Sequence, residues 1–394
     1  SYDTILTVDE ASTQNSELKI LNLESGLEKW VTETIDNHSA SAMFDIKSDY
    51  VYFVSDDWDK SVLYRYSIDR ETLEKVFVGD YLIYSYDIDV VQGLIILNVS
   101  NVKEPSKLIT YDYVYKVTKT LWESNKEWLK ERNISLTEEM KYVGDKQKEI
   151  QGWIIKPPNF DSSKKYPLIL EIHGGPHATW SPHDRSMWFE FQYFASQGYV
   201  IFYSNPKGSS GRGYDFRYVV ANWGTEPAND ILMGVDQTIA KGYIDKEKLF
   251  ITGGSYGGYM TAWIIGNDKR FKAAAPQRGV YNLISFWSVT DITQFTKNET
   301  GAFPWEDLDV MWKLSPIAYV DKVQTPTRII HSENDFRVPI SQGEEYFASL
   351  LKLGVAAELI RYPEEGHELS RSGKPKHMQD RLEKIIEWFN MYNA

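Results

Sequence analysis

From residue 1 to about 123 the chain runs in short segments where Ile, Val, Leu and Tyr alternate with polar residues, broken by Asp, Asn, Ser and Gly. That two-residue period predicts half-buried strands rather than helices. The segments also recur: Leu18 opens LKILNLESGLEKWV, Leu63 opens LYRYSIDRETLEKVF and Leu108 opens LITYDYVYKVTKTLW, each 45 residues after the last. Upstream, FDIKSDYVYFVS from Phe44 and YDIDVVQGLIILNVS from Tyr86 share an aromatic-Asp-Ile opening before an apolar strand. A period of about 40–45 residues with roughly four strands per unit is the pattern of β-propeller blades, and residues 1–123 hold about three of them. A closed ring needs roughly four or more. The missing blades are therefore expected in an N-terminal segment of a longer parent protein, or else the open strands pair with another copy of the chain as a homo-oligomer.

The pattern changes after residue 123. SNKEWLKERNISL (124–136) is charged and has no apolar stripe, as expected of a linker or a surface helix. Beyond it, apolar strands alternate with helical stretches. YPLILEIHGG (166–175), GYVIFYSNPKG (198–208), KLFITGG (248–254), FKAAAPQ (271–277), TPTRIIHSEND (325–335) and AAELIRYPEEG (356–366) read as strands. DILMGVDQTIAKG (230–242), EEYFASLLKLG (344–354) and DRLEKIIEWFNMY (380–392) read as helices. Such alternation predicts a mostly parallel sheet covered by helices on both faces, an α/β domain filling 124–394 after the linker.

Charge and composition narrow the functional classes. Forty-three Lys and Arg against 56 Asp and Glu leave a net charge of −13, so the chain repels nucleic acid and anionic membrane surfaces. The absence of cysteine removes disulfide scaffolds, thiolate metal sites and cysteine nucleophiles, and suits a cytoplasmic location. Neither a metal nor a cofactor is expected.

The chemistry gathers around KLFITGGSYGGYM (248–260), where an apolar strand runs into Gly253-x-Ser255-x-Gly257 and on into a helix. This is the context of a nucleophile elbow, in which a strained turn lifts a serine hydroxyl above the sheet of an α/β-hydrolase. The short motif alone is common; the flanking strand and helix make it specific. A serine nucleophile needs a histidine base and an acid, which in this fold follow in the order Ser, Asp or Glu, His. His367 follows the last strand in a Gly-containing loop and is preferred. His331 lies inside a strand, and His377 sits in a Lys- and Pro-containing segment ahead of the final helix. Asp335 stands at the end of the preceding strand, with Glu333 as the near alternative, while Asp321 falls before that strand. The backbone N–H of Tyr256, next to the nucleophile, is the expected first oxyanion donor.

Together, GGSYGGYM at Ser255, HGGP (173–176), NPKGSSGRGYDF (205–216), WG (223–224), NDFRVP (334–339) and EEGH (364–367) resemble the prolyl oligopeptidase family of serine peptidases, and within it the acylaminoacyl-peptidase branch. The likeness covers roughly 140–392 in the family's motif order, and the N-terminal repeats agree with its β-propeller. The resemblance implies a triad of Ser255, Asp335 and His367. It also implies a second oxyanion donor in the N–H of Gly175, since His173 stands where other branches carry a tyrosine whose hydroxyl donates. By the same resemblance Arg337 grips a substrate carbonyl, and the aromatic stretch 281–295, with Phe286 and Trp287, lines an apolar substrate pocket. The expected activity is hydrolysis of short peptides through an acyl-enzyme. The rivals are an esterase or thioesterase on the same fold and a non-catalytic propeller protein that serves as a docking surface.

Overall fold

The computed structural model describes residues 2–8, 14–47 and 49–393. It divides into two compact units: the first joins residues 1–134 with 179–188 and 210–218, and the second holds the rest.

The described residues of the first unit form three antiparallel sheets in chain order. The first has strands β1 (Thr4–Val8), β2 (Glu17–Leu21) and β3 (Glu28–Trp30). The second has β4 (Ser39–Phe44), β5 (Tyr50–Asp57), β6 (Lys60–Ser67) and β7 (Thr72–Val78), and the third has β8 (Leu82–Asp89), β9 (Leu94–Ser100), β10 (Lys107–Asp112) and β11 (Val117–Glu123). Each repeated leucine opens or lies in a hairpin, β2–β3, β6–β7 or β10–β11. Strand alternation explains how the sheets stack. Val51 and Phe53 of β5 face Leu18 and Ile20, whereas Tyr52 between them faces Ile95, Leu97 and Ile109. The middle sheet is thus apolar on both faces and packs between the other two. On the third sheet the far face lacks that cover: Leu108 is only half-buried, and Ile96 and Trp122 are exposed. Within 124–136 a single short helix, α1 (Lys126–Lys130), forms with no buried residue, as its polar pattern dictates.

The second unit is built on an eight-stranded mixed sheet. In chain order its elements are β12 (Thr137–Val143), β13 (Glu149–Ile155), β14 (Tyr166–Ile172), α2 (Arg185–Ser196, with residues 185–188 grouped with the first unit), β15 (Val200–Asn205), α3 (Tyr214–Arg217, grouped with the first unit), α4 (Glu226–Ala240), β16 (Ile244–Gly254), α5 (Tyr256–Asn267), β17 (Ala273–Gln277), α6 (Leu283–Val289), α7 (Thr293–Thr300), α8 (Leu308–Leu314), β18 (Thr327–Ser332), α9 (Ser341–Lys352), β19 (Ala357–Tyr362), α10 (Leu369–Ser372) and α11 (Pro375–Met391). The strand order is β12-β13-β15-β14-β16-β17-β18-β19; β14 to β19 with β15 run parallel, and β12 and β13 form an antiparallel flank. Central strands such as VIFYSN of β15 are buried throughout, because helices cover both faces and no side is left for polar residues. This is an α/β-hydrolase-type fold, and all the parallel strands deliver their carboxyl ends to one edge. One expectation is corrected. His377 lies inside the first turn of α11 rather than ahead of it, because Pro375 has the fixed φ and missing N–H that suit the start of a helix. No helix among the described residues is long and apolar enough to cross a membrane.

Candidate active site

The core strand β16 ends at Gly254, and Ser255 follows with φ 60° and ψ −119°, a backbone that a residue with a side chain adopts at a cost of about 1–3 kcal/mol. The surroundings hold it there. The Ser255 N–H donates to the Gln277 carbonyl at 3.0 Å, and α5 begins at the next residue. A Cβ on Gly257 would lie 2.1 Å from the Ile172 carbonyl oxygen, so only glycine lets the first turn of α5 rest on β14. The turn places Ser255 at the carboxyl edge of the sheet.

Two and three strands along the same sheet stand the other groups. Asp335 follows β18 and is 2 % exposed; its Oδ1 accepts the Val338 N–H at 2.8 Å, and its Oδ2 accepts from Nδ1 of His367 at 2.8 Å. A carboxylate partner at Nδ1 fixes the proton there and leaves Nε2 as the proton acceptor. His367 follows β19 and is held below the usual histidine range, chiefly by burial; Arg278 adds to the effect, and the Asp335 hydrogen bond opposes it.

The other candidates are engaged elsewhere. His331 is buried, its Nε2 lies 2.7 Å from the Val338 carbonyl and 3.7 Å from Asp335, and burial keeps it neutral by lowering its pKa. Glu333 pairs with Arg361 at 3.1 Å, His377 with Glu365 at 2.6 Å, and Asp321 is exposed.

The Tyr256 N–H heads α5, where a helix supplies no acceptor, and the tyrosine hydroxyl is tied to the Trp223 carbonyl at 2.7 Å. Gly175 has φ 120° in the loop after β14, which passes the elbow closely enough to put a Cβ on Gly174 3.4 Å from that of Ser255. The imidazole of His173 is spent on that loop: its Nδ1 lies 2.7 Å from the Gly174 carbonyl and its Nε2 3.0 Å from Ser209 Oγ, and burial pushes its pKa down to about 4. Arg337 donates from Nε to Asp291 at 2.6 Å on a half-exposed surface. Phe286 packs in the core, while Trp287 stands edge-on to Trp305 and Phe303, with ring centroids 4.9 and 5.8 Å away.

Two supports have no signal in the sequence. His177 approaches the Gly208 carbonyl at 2.9 Å and Glu299 at 3.0 Å, and Glu299 also accepts from Trp223 Nε1, which pins the loop beyond Gly175. Behind the elbow, Arg381 donates to Gln277 Oε1 at 2.6 Å and to both oxygens of Glu190. These residues are distant in sequence, and only the folded sheet brings them together.

Residues 185–393 match the Prolyl oligopeptidase family. The peptidase YuxL of Bacillus subtilis, named as uncharacterised, is 34 % identical over 394 residues, which cover 95 % of this chain and 59 % of the relative. Dipeptidyl-peptidase 5 of Schizosaccharomyces pombe is 33 % identical over 296 residues, covering 73 % and 42 %. Among solved structures, the acylaminoacyl peptidase of Pyrococcus horikoshii superposes with a TM-score of 0.89 at 27 % identity, over 99 % of this chain and 61 % of that one. A further acylaminoacyl peptidase, in complex with Z-Gly-Gly-Phe-chloromethyl ketone, gives 0.90 at 27 % identity, again over 99 % and 61 %. The chain thus spans less than two thirds of the length of these proteins.

Proposed function

The chain belongs to the prolyl oligopeptidase family, and from that premise we propose that it is the catalytic part of a serine peptidase acting on short peptides. The observation that carries the reading is the Asp335–His367 hydrogen bond at the same sheet edge as the strained Ser255. In this reading His367 Nε2 takes the hydroxyl proton as Ser255 Oγ attacks the scissile carbonyl, and Asp335 stabilises the imidazolium that forms. The N–H groups of Tyr256 and Gly175 receive the oxyanion. His367 then gives its proton to the leaving amine, and water repeats the sequence on the acyl-enzyme. No step calls for a metal or cofactor.

Trp287, edge-on in a cluster with Trp305 and Phe303, is proposed to meet an apolar side chain before the scissile bond, in keeping with the phenylalanyl inhibitor bound by a structural relative. Arg337 is proposed to reach a substrate carbonyl while Asp291 orients it. The three stacked sheets of the first unit are proposed as propeller blades, on the strength of the 45-residue repeat and their face-to-face packing. A cytoplasmic location is proposed from the lack of cysteine.

The names of the relatives divide between acylaminoacyl and dipeptidyl peptidase, so the test is a panel of acetylated, free and Pro-containing short peptides beside simple esters, for wild type and Ser255→Ala. Peptide cleavage that is lost in the variant is expected. Cleavage of esters alone would transfer the reading to an esterase.

A further inference from the structure

Among the described residues, the buried arginines of the second unit have acceptors, with one exception. Arg381 is paired with Glu190 and Gln277, and Arg328 with Glu358. Arg278 is 8 % exposed, yet its Nε has no hydrogen-bond partner, and no carboxylate among the described residues pairs with its guanidinium. Its position is unusual in a second way. It follows Gln277, whose carbonyl holds the Ser255 N–H, and its own N–H donates to Ile330 at 2.7 Å, on the strand that leads to Asp335. The backbone there has φ 40°. The guanidinium packs where a side chain on Gly254 would stand, 2.8 Å from the position of that Cβ, directly beside the nucleophile.

A buried cation without a partner is costly, and such groups gather where a site uses their field. We propose that Arg278 is an electrostatic positioning residue of the catalytic site, a fixed positive charge behind the elbow that selects the neutral, proton-accepting state of His367. The inference rests on the reading of Ser255 and His367 as nucleophile and base.

The charges on each side are accounted for. Arg278 faces the cations Arg371 and Arg381 and the carboxylates Glu368 and Glu190, and burial, the largest effect, lowers its pKa to about 10, so it stays charged at neutral pH. His367 faces Asp335 and Glu368, which favour its protonation, and Arg278, which opposes it; buried His331 feels the same opposition from Arg278. In the transition state the cation repels the new imidazolium and attracts the new oxyanion, two effects of opposite sign. Its net influence therefore falls on the pH at which the base becomes available rather than on the plateau rate.

The test is the rate of labelling by a fluorophosphonate from pH 4 to 9, with the whole chain, in wild type, Arg278→Met, Arg278→Gln and Arg278→Lys, and with Ser255→Ala as control. Loss of the uncharged variants' native charge should move the acid limb up by roughly half a pH unit or more, with the plateau within about fivefold of wild type. Arg278→Lys should keep the wild-type limb. An unshifted limb in a folded Met or Gln variant, or a Lys variant that shifts as they do, overturns the inference. If neither uncharged variant melts cooperatively, the wild-type limb decides: a value at or above the ordinary 6.5 overturns it. Failure of wild type to label at Ser255 would instead remove the catalytic reading itself, so the two failures are distinct.

Discussion

Ser255 carries backbone strain that only its setting can hold, and the setting is mostly local: an apolar strand, small residues and a helix start within a dozen positions. That is why the elbow was legible in the sequence. His367 and Asp335 were legible for a related reason, since each follows a recognisable strand, although nothing in either segment shows that their side chains meet. Asp335→Asn should leave the fold intact and lower the turnover of a cleaved peptide by a factor on the order of 10⁴, because an amide no longer fixes the Nδ1–H tautomer. A loss of less than tenfold in steady-state kinetics would remove Asp335 from that role. The pH dependence has a definite sign. His367 must be neutral to accept a proton, and its pKa lies below the usual 6.5, so activity should persist below pH 6.5 and then fall. An acid limb above 6.5 in kcat/KM would contradict this.

Among the elements, what the sequence concealed is the polar interior that joins them. Arg381 on α11, Glu190 on α2, Gln277 on β17 and Thr252 on β16 form one chain of hydrogen bonds across the sheet, assembled from residues 25 to 191 positions apart. Helical periodicity predicted α11 but could not distinguish a buried arginine from a surface one. The β12–β13 flank was missed because TEEMKYV mixes charged and apolar residues, the pattern of a strand that is solvated on one face at a sheet edge. Glu171 of β14 sits in the same interior with neither carboxyl oxygen hydrogen-bonded, and burial, reinforced by Glu190, raises its pKa well above 4.5 while Arg381 opposes the rise. Its protonated form is therefore favoured in the fold. The stability this gives is complete below about pH 4.5 and is lost as pH rises toward the folded value. Glu171→Gln removes that loss: melting curves should coincide near pH 4.5 and separate in favour of the variant by roughly 2 °C or more at pH 8. Equal differences at both pH values would show that Glu171 does not titrate with folding.

In the whole molecule the two units follow different sequence logic, period two with a 45-residue repeat before residue 123 and strand-helix alternation after it, and both logics reappear in the elements formed. The repeat also shows where its packing stops, at the half-exposed far face of the third sheet with Ile96, Leu108 and Trp122. We expect a second copy of this chain to cover that face or the edge of β1, so light scattering should give at least a dimer. A monomer that retains its full β signal would contradict this. The claim on which the rest depends concerns one oxygen atom in the second unit. Treating the chain with a fluorophosphonate, digesting it and locating the adduct by mass spectrometry tests it directly. Stoichiometric phosphonylation of Ser255 is expected, abolished by Ser255→Ala and by heat unfolding; absence of the adduct from folded wild-type chain, or an adduct on a different residue, would contradict the assignment of Ser255 as nucleophile.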